Sequence, residues 1–136
     1  MDGQVLRFRL RGGSDAVPSA RRIVDRVAEK CTLPRLGDLR LLVSELVTNS
    51  VLHASAGPDN WLELCLVATD RSLRVEVCDE STGWQPEPRA AQLDEPGGWG
   101  LFIVEQLAAR WGLSRDGQTC VWFELDQEPA ETARQN

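Results

Sequence analysis

The chain of 136 residues holds a single lysine, Lys30, and a single histidine, His53. A P-loop needs a lysine on its phosphates, and here that lysine has no candidate. One histidine removes two-histidine metal sites and most histidine-based catalytic triads. The cysteines, Cys31, Cys65, Cys78 and Cys120, show no C-x-x-C spacing, which leaves a zinc ribbon unsupported. Cys65 and Cys78 lie in apolar, strand-like runs, so all four are expected as reduced thiols. No apolar run approaches the ~20 residues that cross a bilayer. The opening MDGQVLRFRL has neither the basic nor the apolar region of a signal peptide. A soluble, cytoplasmic protein without membrane contact is expected. Positive charge is also scarce: the net charge of −6 argues against direct nucleic-acid binding, which needs a basic surface. One bound nucleotide needs only a local set of donors and stays compatible with that balance.

What is present fits one domain. With 42% hydrophobic residues, a chain of this length buries one core and not two. Residues 1–126 carry the periodic segments, and the polar tail 127–136 is expected to fray. Gln4 to Arg11 alternates arginines with Phe8 and Leu10, the pattern of a half-exposed strand. After Gly12-Gly13, Ser14 or Asp15 can cap a helix that runs to about Cys31 on Val17, Ala20, Ile23, Val24, Val27 and Ala28. Pro34 to Ala54 reads as a second, longer helix. Trp61 to Ala68 and Leu73 to Cys78 form a hairpin around Thr69-Asp70-Arg71-Ser72. Glu80 to Pro96 holds three prolines and reads as a long functional loop. Gly100 to Trp111 reads as a third helix, followed by a hairpin of Leu113 to Arg115 and Cys120 to Leu125. Helices interspersed with hairpins in this order give an α+β fold, a two-layer α/β sandwich with helices on one face of a mixed, mostly antiparallel sheet.

The second helix carries an acid and an amide. Leu39, Val43, Leu46, Val47 and Ala54 share one arc and face the core. Ser44, Glu45, Thr48, Asn49 and His53 take the other side, with Glu45 and Asn49 adjacent at i, i+4. A solvated helix face is the competing reading. Against it, Ser, Thr and Asn are poor helix formers placed in the middle of the best helix of the chain. An Asn side-chain oxygen suits Mg2+, and a carboxylate one turn away can orient or deprotonate a nucleophile.

Two further places add to this. A strand ends in Asp79, where a carboxylate accepts a hydrogen bond from an exocyclic amine such as that of adenine, and Gly83 lets backbone approach a flat base. Ordinary turn chemistry explains the same residues equally well. Gly97-Gly98-Trp99-Gly100 opens a helix, whose free N–H groups and dipole suit an anion, although glycines also serve as a flexible helix start.

The order of these pieces resembles the GHKL ATPase superfamily, and most closely its small bacterial anti-sigma factor serine/threonine kinases. Glu45 to Ala54 (ELVTNSVLHA) looks like the N box, Asp79 to Gly83 (DESTG) the G1 box, and Gly97 to Leu101 (GGWGL) the G2 box. The likeness covers roughly residues 5–126 and implies the Bergerat ATP-binding fold, with ATP and Mg2+ as cofactors. It implies that Asn49 coordinates Mg2+, that Asp79 binds the adenine amino group and that Gly83 floors the base pocket. Gly98 and Gly100 would meet the phosphates, with Leu101 beside them in the same box. Thr119 would support the adenine with Asp79, and Glu45 would be the catalytic base for a substrate serine. His53 lies near the phosphates or serves in a capping or surface role. Ser81 stands where the family's D-x-G-x-G usually has its middle glycine. The partners implied are an anti-anti-sigma protein as substrate, a sigma factor held in check, and a second copy in a homodimer. The alternative is an ATP-dependent protein-binding module with little or no kinase activity.

Overall fold

The structure is a computed structural model that describes residues 4–33, 35–53, 60–79, 100–115 and 118–126. Its elements run β1 (Gln4–Arg11), α1 (Ala16–Lys30), α2 (Leu36–His53), β2 (Trp61–Ala68), β3 (Ser72–Asp79), α3 (Gly100–Leu107), β4 (Arg110–Arg115) and β5 (Thr119–Asp126). The strands form one sheet in the order β1-β2-β3-β5-β4, and every pairing is antiparallel. The alternation in β1 sorts as expected: Leu10 enters the core while Arg7, Arg9 and Arg11 stay exposed. Gly13, at φ 85, makes the turn into α1 in a conformation that side chains avoid. The β2–β3 hairpin closes where expected. Thr69 N donates to Ser72 O at 2.9 Å, and the Thr69 hydroxyl accepts from the Arg71 and Ser72 amides.

The helices cover one face. On α1, Ala16, Ala20, Val24 and Val27 are buried, with Val17 and Ile23 packed beside them. Asp15 occupies the N-cap position of α1 but makes no side-chain cap. On α2, Leu39, Val43, Leu46 and Val47 are buried as expected, and Leu42 joins them. Pro34 and Ala54, the expected limits of that helix, lie outside the described residues. The α2 helix packs against α1 and α3 and over β3. Leu64, Leu66, Val75, Val77, Phe123 and Leu125 supply the sheet side of the same core. None of the helices among the described residues is long and apolar enough to cross a membrane.

The sheet expected as mixed, mostly antiparallel is antiparallel throughout the described strands, and the sequence reading differs from the structure in two larger ways. The third helix stops at Leu107, with Ala108 N closing its last turn on Val104 O at 2.9 Å. Ala109 N already donates to Glu124 O at 2.9 Å, and Trp111 faces Phe123 as part of β4. The apolar spacing of Leu107, Ala108 and Trp111 suits a helix, but the ladder to β5 decides their state, and Gly112 is a weak helix former. Gly112 also faces Trp122: a Cβ there would lie 2.7 Å from Trp122 Cζ2.

The second difference concerns the cysteines. Cys31 and Cys65 are free thiols, but Cys78 and Cys120 are joined by a disulfide across β3 and β5. Forty-two residues separate them in sequence, and only the strand register sets them opposite one another. No local spacing carries that information.

Candidate functional site

The polar side of α2 is not a solvent face. Ser44, Asn49 and Ser50 are buried, and Glu45 and Thr48 are half-buried. Each buried polar group must find a partner or cost stability, and most of these do find one. Arg21 reaches across from α1 and its Nε donates to Ser44 Oγ at 2.8 Å, while that hydroxyl donates back to Arg40 O at 2.8 Å. Asn49 Nδ2 donates to Glu45 O at 2.9 Å, one helical turn back. That bond fixes the amide and leaves Oδ1 as its acceptor end, the atom a hard cation would take. Ser50 Oγ is buried without a hydrogen-bond partner among the described residues.

Glu45 differs from a surface glutamate in its titration. Burial pushes its carboxyl above the ordinary value, and the Arg21 guanidinium pulls it partly back. A carboxylate raised in this way is a stronger base than one in water, and the nearby cation favours its ionised form.

Asp79 ends β3, and Thr119 opens β5 directly opposite it. Both are buried, Asp79 at 4% exposure and Thr119 at 1%. Strand alternation puts Asp79 on the face of Val75 and Val77, under the helices, and Thr119 on the face of Val121 and Phe123. A buried carboxylate at a strand end is expensive, so its place beside a threonine asks for a role. The next pair inward is Cys78 and Cys120, which project to the opposite, helix-free face. Glu76, Cys78 and Cys120 bring possible metal-ligand atoms within 4.8 Å of one another, but the two sulfurs are bonded to each other and Arg74 Nη2 holds Glu76 Oε2 at 2.7 Å.

The described structure thus collects part of the expected set. Glu45 and Asn49 lie on α2, which packs over β3, the strand that ends at Asp79. Gly100 and Leu101 begin α3, which packs against α2. His53 is the last residue of α2. Gly83 and Gly98, with Ser81 and the loop from Glu80 to Pro96, lie outside the described residues. Sequence reasoning missed Arg21, Ser44 as its anchor, and Ser50. Arg21 falls on the exposed side of an amphipathic helix, and no spacing within α1 announces a contact with another helix.

Comparison with known proteins agrees with this geometry. The profile of the histidine kinase-like ATPase domain matches residues 13–125. The chain is similar to an anti-sigma F factor of Clostridium acetobutylicum, 38% identical over 52 residues, or 38% of this chain and 36% of that protein. It is also similar to the serine-protein kinase RsbW of Listeria monocytogenes, 34% identical over 82 residues, with 52% of each chain covered. The matches thus span about half or less of these relatives' length. Among solved structures, a Mycobacterium tuberculosis protein with RsbU and RsbW domains superposes with a TM-score of 0.66 at 17% identity, over 93% of this chain and 34% of that one, a likeness of fold. The profile match covers most of the chain, including α2, β3 and β5: the chain belongs to the histidine kinase-like ATPase domain family.

Proposed function

We propose that this protein binds Mg-ATP between α2 and the β3–β5 strand ends and transfers phosphate to a serine or threonine of an anti-anti-sigma protein, itself an anti-sigma factor in the cytoplasm. The observation that carries the proposal is the buried polar set itself. Asn49, Asp79 and Thr119 are withdrawn from water on elements that pack together, in a chain of an ATPase family. The names of the relatives, an anti-sigma F factor and a serine-protein kinase, support the regulatory part of the reading.

Asn49 Oδ1 is the atom that would hold Mg2+, and its amide is already aimed by the bond to Glu45 O. Asp79 would accept from the adenine amino group, with Thr119 beside it. Gly83 would floor the base, Gly98, Gly100 and Leu101 would flank the phosphates, and His53 would stand at the end of the helix nearest them. ATP supplies the phosphoryl group, and Mg2+ neutralises charge on it. Glu45 takes the proton from the substrate hydroxyl. Its raised basicity, a result of burial, suits that task, and Arg21 partly offsets the shift in favour of the ionised form.

A phosphotransfer assay with the cognate partner tests the proposal. Glu45→Ala should keep Mg-ATP binding and lose phosphate transfer by about 10²–10⁴-fold, the usual worth of a general base. Transfer at the wild-type rate in that variant rules Glu45 out as the base. Binding without transfer in the wild type selects the ATP-dependent binding module instead, the reading that Ser81 in the G1 box favours.

A further inference from the structure

We infer that Cys78 and Cys120 are a reversible thiol modification site that sets the nucleotide affinity of this protein through the adjoining Asp79–Thr119 pair. The inference rests on the reading of Asp79 as a nucleotide contact given above. Three observations carry it. The two cysteines face each other directly in the β3–β5 register, with Cα atoms 4.0 Å apart. The next pair along the same ladder is Asp79 and Thr119, so the covalent link lies one residue from both. Asp79 is the last residue of β3 and Thr119 the first of β5, so the pair stands where a ladder frays.

The link cannot be explained as a staple for a weak fold. The core already spans three helices and five strands, and the bridge joins strands that are hydrogen-bonded along their whole length. Reducing compartments keep thiols open, and disulfides formed there are mostly transient and regulatory. A bond that adds little to the core but fixes the end of the ladder acts on what that end carries. Holding Asp79 and Thr119 in place before the ligand arrives lowers the ordering cost of binding, so the bridged form binds more tightly.

The reaction is thiol–disulfide exchange with a low-molecular-weight disulfide. The thiolate of one cysteine attacks a reagent sulfur, the reagent S–S bond breaks, and one small thiol leaves with a proton. The second cysteine then displaces the other small thiol from the mixed disulfide, forming the Cys78–Cys120 bond. The protein loses two electrons and two protons, and the reagent gains them as two thiols. Cys65, the free cysteine on the same face of β2, stands opposite Glu76 in the β2–β3 register and has no cysteine facing it, so it does not close a competing bridge.

The test uses the full chain, equilibrated with oxidised glutathione or with dithiothreitol, its bridge state verified by alkylation and mass spectrometry. Calorimetric titration with Mg-ATP should give a dissociation constant at least about five-fold lower for the bridged form. Cys78→Ser and Cys120→Ser should each show the dithiol value under both conditions. Amide exchange at Val77, Asp79, Thr119 and Val121 without nucleotide should be slower in the bridged form, a readout that needs no variant and no ATP. Equal affinity in both forms overturns the inference and leaves the nucleotide reading intact. Equal exchange in both forms overturns it as well. Slower exchange without ATP binding in either form overturns the nucleotide reading, and the inference with it.

Discussion

Asp79 and Thr119 face each other across β3 and β5, both buried, at the end of the ladder closest to the residues that resemble the G1 box. A carboxylate there forms a charge-assisted hydrogen bond with an amine, and such bonds contribute about 1.5–3 kcal/mol. Asp79→Asn keeps the volume and removes the charge. Its Mg-ATP dissociation constant, measured by calorimetry, should rise by roughly ten-fold or more, and an unchanged value would detach Asp79 from the base.

Glu45 makes the stability of the protein depend on pH in a defined direction. Its carboxyl is raised above the ordinary 4.5 by burial, so the folded state holds the proton more tightly than the unfolded one. The stability this contributes is present at low pH and is lost as pH rises through the raised value. Glu45→Gln should therefore unfold in denaturant with the wild type below about pH 4 and outlast it at neutral pH. A variant that is weaker than the wild type at pH 7 would mean that Glu45 is stabilised as an anion.

Arg21 is the cation that lowers Glu45, and it is tied to Ser44 across the α1–α2 contact. Without it Glu45 should titrate at higher pH. In Arg21→Ala the acid limb of the phosphotransfer profile should shift upward, while the rate at high pH stays near that of the wild type. A profile that loses height at every pH without moving would assign Arg21 to substrate contact instead.

Gly112 leaves room for the indole of Trp122, which also receives Arg74 with its guanidinium carbon 4.0 Å from the ring centroid. Arg74 is held in turn by Glu76 at 2.7 Å and Glu124 at 3.4 Å. Gly112→Ala places a methyl within the ring's contact distance and should cost about 1–3 kcal/mol in denaturant unfolding, the usual cost of overpacking. Nucleotide affinity should not change, since Trp122 pairs with Glu76, three register positions from the Asp79–Thr119 pair.

Much of this molecule was legible before its structure. Strand periodicity placed β1, β2 and β3 to within a residue or so, because Arg7, Arg9 and Glu76 alternate with apolar neighbours along them. The acid and amide of α2 stood out because Ser44, Thr48 and Asn49 are poor choices for a helix surface. The same reasoning went astray at Trp111, where an apolar spacing that suits a helix is overruled by pairing with Phe123. It marked the polar side of α2 as a site but did not say what covers it. Both α1 and α3 pack against α2, and a one-dimensional pattern does not encode which helix covers another. The Cys78–Cys120 bond and the Arg21–Ser44 contact fall under the same limit, since both depend on which elements meet in space.

Thermal unfolding of the full chain with and without millimolar Mg-ATP tests the nucleotide site most directly. A ligand that binds only the folded state adds about 2.7 kcal/mol at a hundred times its dissociation constant. The melting temperature should rise with Mg-ATP and rise less in Asp79→Asn. A melting temperature that Mg-ATP leaves unchanged in the wild type would contradict the nucleotide site.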